Sequence, residues 1–248
     1  MYYYDKIIVL NNLNLPNDFG KKWVISEMNK KYKVISFDLF QTLVDVNQKT
    51  YEIWDRIMPK KCTNEQATFY AKELFLDYAS IMDVEMQKRE FVSMKSIFMK
   101  CAQSMINRIN LSISPSDLTD SLIIAHREAP LYDDVVETFE YLKDKYQIII
   151  ASDADIIMDN HNIKDLGISK KYFSENLQTY KNNIHKNFFD SVLCDLKINS
   201  DEIVHIGDSK SDARAADASK IDFIQLNRNQ SSFYKCEISS LREFIDIL

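Results

Sequence analysis

The feature that most constrains the fold is a short β-type segment that occurs four times along the chain. The segments at 33–37, 147–151, 202–206 and 221–226 are rich in isoleucine, valine and phenylalanine. Short, nearly continuous apolar runs of this kind are typical of strands that are buried on both faces of a parallel sheet. Between these segments the apolar residues recur at helical spacing, so strands and helices are predicted to alternate. The sequence therefore predicts an α/β fold with a Rossmann-like parallel sheet.

One long stretch, residues 46–128, interrupts this alternation. It has few β-type runs, and its apolar residues recur at helical spacing. Ser114 followed by Pro115 is typical of a helix that begins at the proline. We predict at least three helices here, forming an insertion that we call the cap. A chain of 248 residues suffices for one core with an accessory lobe, so we assign 1–45 and 129–248 to the core.

The composition argues against several classes of function. The formal net charge is −6, whereas nucleic-acid-binding domains usually carry clustered basic residues, so we expect no nucleic-acid partner. Three glycines are too few for a glycine-rich phosphate loop. No apolar run is long enough for a secretion signal or a membrane span, and the four cysteines form no CxxC pair. We therefore expect a cytoplasmic protein with reduced thiols and no membrane partner.

Polar residues follow three of the predicted strands directly. Asp38 follows the first, Ser152 and Asp153 follow the second, and Gly207-Asp208 follows the third. The carboxyl ends of parallel strands meet at one edge of the sheet, which is where ligands bind in open α/β folds. We therefore expect these side chains to lie together.

The residues at this edge occur in an order that resembles the haloacid dehalogenase-like (HAD) superfamily. The order is Asp-Leu-Phe-Gln-Thr-Leu at 38–43, Ser152-Asp153, Lys186, and Gly-Asp-Ser-Lys-Ser-Asp at 207–212. The resemblance covers residues 33–226 and implies a Rossmann-like core with a helical cap inserted after the first catalytic strand. Residues 37–43 read Phe-Asp-Leu-Phe-Gln-Thr-Leu, which is similar in particular to a branch of the superfamily with the motif FDxFDTL. Gln41 stands where that motif has its second aspartate.

The resemblance implies a phosphatase that acts on a phosphorylated small molecule, and each cluster has a role that suits its chemistry. Asp38 is the nucleophile, because an ionised carboxylate attacks phosphorus without further activation and gives an aspartyl phosphate. Ser152 and Lys186 stabilise charge on the phosphoryl oxygens. Thr42 and Asp153 are expected to contact the substrate, and Thr42 also to close the turn after the strand.

The same resemblance implies a magnesium site, because two anions approach each other more easily with a cation between them. The expected ligands are Asp38, the backbone carbonyl of Phe40, and Asp208. Asp212 would bind Mg²⁺ directly or orient its water ligands.

The choice of lysine rests on helical spacing. Lys186 precedes Phe188 and Phe189, which begin an apolar helix stripe, and we prefer it to Lys181 for that reason. His205 lies within an apolar strand and is expected to be a core histidine rather than a metal ligand.

Phe40 departs from the phosphatase pattern. The residue two positions after the nucleophile is usually an aspartate that protonates the leaving group, and phenylalanine transfers no proton. Loss of such help lowers a rate by about two to four orders of magnitude. The enzyme could therefore act on good leaving groups, use Asp153, Asp45, His185 or a cap residue as proton donor, or retain the fold without turnover.

Two alternatives to a phosphatase stay open. An aromatic residue at position 40 is also similar to 2-haloacid dehalogenases, which displace halide and need no leaving-group acid. Those enzymes work without a metal, however, and this chain retains both Asp208 and Asp212. The second alternative is a catalytically weak protein that uses the pocket or the cap for binding.

Overall fold

The sheet has the parallel architecture that the sequence predicts. The computed structural model describes residues 32–228 and 232–248. Its six strands have the order β3-β2-β1-β4-β5-β6 and are parallel throughout. The strands are β1 (Val34–Phe37), β2 (Gln147–Ser152), β3 (Lys170–Phe173), β4 (Ile203–Gly207), β5 (Asp222–Leu226) and β6 (Glu237–Ile238). The strand that leads to Asp38 is therefore central, between β2 and β4.

Two of these strands, β3 and β6, are absent from the sequence prediction. β3 begins with Lys170, which is exposed, and Lys171, which is half-buried, and β6 has only two residues. Both lie at the edges of the sheet, where a strand pairs on one side only and needs no continuous apolar run. Their sequences therefore lack the signal that reveals β1, β2 and β4.

Both faces of the sheet are buried, because alternate residues of each strand enter different apolar clusters. Ile35, Ile148 and Val204 belong to one cluster, whereas Val34 and Ile149 belong to the other. Helices cover these faces, which is the arrangement that buries a parallel sheet. The helices outside the predicted cap are α5 (Val135–Leu142), α6 (Ser174–Leu177), α7 (Phe188–Leu196), α8 (Lys210–Ala218) and α9 (Leu241–Ile247).

The predicted cap contains four α-helices among the residues described. They are α1 (Thr50–Asp55), α2 (Asn64–Glu85), α3 (Met94–Ile109) and α4 (Pro115–Glu128). The Ser114 hydroxyl accepts a hydrogen bond from the Asp117 N–H at 3.3 Å, and Pro115 is the first helical residue, as the sequence predicts. Helices α2, α3 and α4 pack side by side.

Two chain segments join the cap region to the sheet, and they run next to each other. The Asp45 N–H donates to the Pro130 carbonyl at 2.9 Å, and the Tyr132 N–H donates to the Leu43 carbonyl at 3.0 Å. The division at 45/46 and 128/129 stays a prediction, and residues 1–31 of the predicted core lie outside those described. Within the described ranges no helix is long and apolar enough to cross a membrane.

Candidate active site

The polar residues that follow β1, β2 and β4 meet at one edge of the sheet. The Asp38 N–H donates to the Ile206 carbonyl of β4 at 2.9 Å, which fixes the loop that begins at Asp38 beside the loop that carries Asp208. Ser152 is the buried last residue of β2, and its hydroxyl is close enough to the Asp38 carboxylate to counter part of the rise that burial causes in the pKa of Asp38. Strand register thus places three residues that are far apart in sequence around one point, as the strand-end argument predicts.

The lysine at this point is Lys181, so the choice of Lys186 is wrong. The Lys181 ammonium is 2.5 Å from Asp38 Oδ1 and also donates to Asp212 Oδ1. Lys186 is exposed, and its ammonium donates to the Leu177 carbonyl instead. The helical stripe that favoured Lys186 is real, since Phe188 begins α7, but Lys186 lies in the loop before that helix.

Burial and neighbouring charge determine the protonation of the Lys181 ammonium. Burial alone would lower its pKa, but the carboxylates of Asp212 and Asp38 hold the pKa above its ordinary value. Lys181 is only 4% exposed, so solvent does little to screen this attraction. It is therefore a fixed positive charge beside the candidate nucleophile.

Three carboxylates form a cluster that could hold a cation. Oxygen atoms of Asp38, Asp208 and Asp212 lie within 4.8 Å of one another. Burial, together with Asp38 and Asp212, raises the pKa of Asp208 well above its ordinary value. Burial also raises the pKa of Asp38, despite the opposing charge of Lys181. The cluster therefore carries repulsion that a divalent cation would relieve.

Gly207 allows Asp212 to approach the end of β4. A Cβ atom at this position would be 2.5 Å from Asp212 Cγ, which no side chain can accommodate. Asp212 also accepts hydrogen bonds from the Ser209 N–H at 3.0 Å and from its hydroxyl at 2.6 Å. The sequence Gly-Asp-Ser-Lys-Ser-Asp thus folds the first turn of α8 back over the strand end.

Comparison with known proteins identifies the family. A model of the haloacid dehalogenase-like hydrolases matches residues 32–219, which is most of the chain. The chain belongs to the haloacid dehalogenase-like hydrolases. A search of curated proteins found no match.

Solved structures of other HAD proteins share the fold. A dehalogenase in an intermediate complex has a TM-score of 0.73 and 17% identity, with 88% of this chain and 97% of that chain covered. YfnB, a HAD-hydrolase from Bacillus subtilis bound to magnesium, has a TM-score of 0.70 and 15% identity, with 88% and 99% covered. The L-2-haloacid dehalogenase of Xanthobacter autotrophicus has a TM-score of 0.71 and 12% identity, with 87% and 98% covered. At these identities the likeness concerns the fold.

Phe40 packs against the cap. Its ring is perpendicular to the ring of His126 at a centroid distance of 4.6 Å, and His126 in turn lies 5.3 Å from the Phe98 ring. The position that usually carries the second aspartate of a HAD phosphatase thus joins an aromatic contact with α3 and α4. Among the described residues none donates a backbone hydrogen bond to the Phe40 carbonyl.

Thr42 is fully buried beside the acidic cluster. Its hydroxyl donates to Asp208 Oδ1 at 3.4 Å. Its carbonyl accepts two hydrogen bonds from the Arg228 guanidinium, at 2.9 and 3.2 Å. Arg228 also pairs with Asp134 and lies 3.9 Å from the centroid of the Tyr132 ring. Arg228 therefore fixes the position of Thr42 in the loop that begins at Asp38. The substrate contact expected of Thr42 stays a prediction.

Of the named candidates for the missing proton donor, only Asp153 lies beside Lys181. Asp153 Oδ1 accepts a hydrogen bond from the Lys181 N–H at 2.9 Å. Burial raises the pKa of Asp153 to about 6, despite the opposing charge of Lys181. Asp45 instead caps a 3-10 helix through the Asn47 N–H, and His185 is exposed and hydrogen-bonds the Gln87 carbonyl.

The segments next to Ser152 and Lys181 contact α3 and the loop that precedes it. Both carboxylate oxygens of Asp155 accept hydrogen bonds from the first turn of α3, from the Met94 N–H at 2.8 Å and the Lys95 N–H at 2.7 Å. Tyr180, next to Lys181, donates its hydroxyl to the Val92 carbonyl. These hydrogen bonds join the candidate site to α3 and to the loop before it.

Proposed function

We propose that the protein is a Mg²⁺-dependent phosphatase that transfers the phosphoryl group of a small phosphorylated molecule to Asp38. The observation that supports this most is the cluster of Asp38, Asp208 and Asp212 carboxylates within 4.8 Å, with the Lys181 ammonium against two of them. Three carboxylates against one ammonium leave an excess of negative charge, which suits a divalent cation.

The donor set fits Mg²⁺. This ion prefers hard oxygen ligands and is usually held by one or two carboxylates together with substrate phosphate and water. Asp38, Asp208 and the Phe40 carbonyl would hold it, since all three offer oxygens at the same strand ends. When bound, Mg²⁺ would supply positive charge between the attacking carboxylate and the phosphate.

The residues of the site then divide the reaction between them. A free oxygen of Asp38 attacks phosphorus, a bond forms between them, and the bond from phosphorus to the leaving oxygen breaks. The Ser152 hydroxyl and the Lys181 ammonium, both buried beside Asp38, stabilise charge on the phosphoryl oxygens. Water subsequently hydrolyses the aspartyl phosphate and restores Asp38.

The leaving group determines which substrates are feasible. Phe40 cannot protonate a leaving oxygen, so substrates whose leaving groups depart as anions, such as acyl and aryl phosphates, are favoured. Asp153 is the candidate for any remaining proton transfer, because its raised pKa allows it to hold a proton near pH 6.

A 2-haloacid dehalogenase is the second candidate, and Phe40 is the observation that favours it. Displacement of halide by Asp38 needs no leaving-group acid, and several solved structures with this fold are described as dehalogenases. In such a reaction Lys181 would be the cation beside the nucleophile. Asp208 argues against this candidate, because a further carboxylate beside Asp38 only adds repulsion where no metal binds.

A substrate panel separates the candidates. The wild-type protein is incubated with aryl phosphates, acyl phosphates, sugar phosphates and 2-haloacids, either with Mg²⁺ or with a chelator. The isosteric Asp38→Asn variant is the matched control. We expect phosphate release from acyl and aryl phosphates with Mg²⁺ only, and none from the variant. Halide release in the chelator would support the dehalogenase instead, and no turnover of any substrate with Mg²⁺ bound would support a binding protein.

A further inference from the structure

A buried histidine behind the acidic cluster is used by neither the nucleophile nor the metal site. His205 lies in β4, is fully buried, and is the register partner of Ser36 on β1 and of Phe223 on β5. Its ring packs between Phe189 at 4.8 Å and Phe223 at 6.0 Å. Burial of this kind is compatible with simple core packing, so its polar contacts decide whether it does more.

Both ring nitrogens of His205 have partners. Nδ1 lies 3.0 Å from the Ser36 hydroxyl, and Nε2 lies 3.0 Å from Asp212 Oδ1. An ionised carboxylate only accepts hydrogen bonds, so Nε2 must carry the proton. In a neutral ring Nδ1 is then an acceptor, and the Ser36 hydroxyl donates to it. The contacts thus form a chain of hydrogen bonds in which Ser36 donates to His205 and His205 donates to Asp212.

Both carboxylate oxygens of Asp212 already accept two hydrogen bonds each. Oδ1 accepts from His205 Nε2 and the Lys181 ammonium, and Oδ2 accepts from the N–H and hydroxyl of Ser209. A carboxylate offers about four lone-pair directions, so all are in use. A direct bond from Asp212 to a cation would require one donor to leave. The carboxylate is therefore oriented toward Lys181, and His205 is the partner that comes from the rigid sheet.

We infer that His205 is a positioning residue: through Asp212 it holds the Lys181 ammonium against Asp38. Asp212 thus acts mainly by fixing Lys181 rather than by binding the metal directly. Its effect on turnover rests on the proposed function, whereas the hydrogen-bonded arrangement does not. Partners that orient metal-ligating side chains are worth about 10- to 100-fold in metal affinity or activity, and we expect an effect of that order for a partner that orients Asp212.

Two substitutions of His205 test whether the hydrogen bond from Nε2 to Asp212 matters independently of the contact between Nδ1 and Ser36. In His205→Gln the side-chain NH₂ replaces Nε2 and can still donate to Asp212. In His205→Asn the amide is one bond shorter, corresponds to Nδ1, and cannot reach Asp212. We expect kcat per folded molecule to fall about 10- to 100-fold in His205→Asn at nearly unchanged KM, and only a few-fold in His205→Gln.

A second readout follows Lys181 without any substrate. A buried, hydrogen-bonded ammonium exchanges its protons slowly, so ¹⁵N-lysine spectra should contain a Lys181 signal that is absent from Lys181→Met. This signal should be kept in His205→Gln and lost or shifted in His205→Asn. If His205→Asn does not fold, His205→Phe takes its place, because it keeps a ring between Phe189 and Phe223 but cannot donate.

Phe189→Leu is the control for packing, since it removes a ring that contacts His205 but leaves the chain of hydrogen bonds intact. It should lower stability while the Lys181 signal and kcat per folded molecule stay as in the wild type. The inference is overturned if Phe189→Leu and His205→Asn change the signal equally, or if His205→Asn leaves it unchanged. An inactive wild type whose signal is kept in His205→Gln and lost in His205→Asn would refute the proposed phosphatase and leave the positioning role supported.

Discussion

Replacing Lys181 by methionine removes the positive charge from the candidate site while keeping the length of the side chain. The ammonium contacts Asp38 Oδ1 at 2.5 Å and donates to Asp212 Oδ1, and the residue is only 4% exposed. The variant therefore leaves two buried carboxylates without their common cation.

The size of the effect follows from this burial. Removing one partner of a buried ion pair destabilises a protein by about 3–5 kcal/mol. We expect the lower end, roughly 3 kcal/mol at pH 7 in a chelator, because Asp38 and Asp208 already have raised pKa values and can take up a proton. Protonation neutralises the uncompensated charge, so the loss should shrink as the pH falls towards 5. Loss of a donor to the phosphoryl oxygens should lower kcat by about 10²–10³.

Lys186→Met is the matched control, because Lys186 is exposed and its ammonium bonds only the Leu177 carbonyl among the described residues. Denaturant unfolding at pH 5 and 7 gives the stability of both variants, and turnover of an acyl phosphate gives the rates. The reasoning fails if the two variants lose equal activity, or if Lys181→Met is destabilised more at pH 5 than at pH 7.

Three further predictions concern the carboxylates and Phe40. Mg²⁺ should raise the melting temperature of the wild type, and Asp208→Asn should abolish most of that shift; equal shifts in both proteins would refute the metal assignment. Phe40→Asp should flatten the dependence of rate on leaving-group pKa, as measured with a series of aryl phosphates, whereas an unchanged slope would mean that another group supplies the proton. The pKa of Asp153 is raised to about 6, so the folded state holds a proton that the unfolded state loses near pH 4, and the free energy of unfolding falls as the pH rises between these values. Asp153→Asn should therefore be more stable than the wild type by about 1–3 kcal/mol at pH 7 in a chelator and equal to it near pH 4, and a constant difference across this range would contradict the assignment.

The positions of Asp38, Ser152 and Asp208 could be predicted because each directly follows a strong apolar strand. Parallel strands end at one edge, so the sequence pattern alone brings these residues together. Lys181 could not be chosen in the same way. It lies after the edge strand β3 and the short helix α6, and the two lysines at the start of β3 interrupt the apolar run that would reveal this strand. Without β3 no sequence pattern places the loop at 178–186.

Other parts of the site depend on tertiary contacts that no local pattern carries. His205 is correctly predicted as a core residue, but its bond to Asp212 arises from the turn at Gly207 that folds α8 over β4. The contact of Phe40 with His126 joins residues that are far apart in sequence, and it depends on how α4 packs against the loop after β1. Such contacts form only when distant segments pack together, so they cannot be predicted from the residues adjacent in sequence.

The central claim is that Asp38 accepts a phosphoryl group, and the covalent intermediate tests it most directly. Wild-type protein is mixed with an acyl phosphate and Mg²⁺, quenched in acid within milliseconds to seconds, digested and analysed by mass spectrometry. We predict that the peptide containing Asp38 gains the mass of one phosphoryl group, and that the gain is absent in the chelator and in Asp38→Asn. Substrate turnover with no phosphoryl group on this peptide at any quench time, or the same gain in Asp38→Asn, would contradict the account.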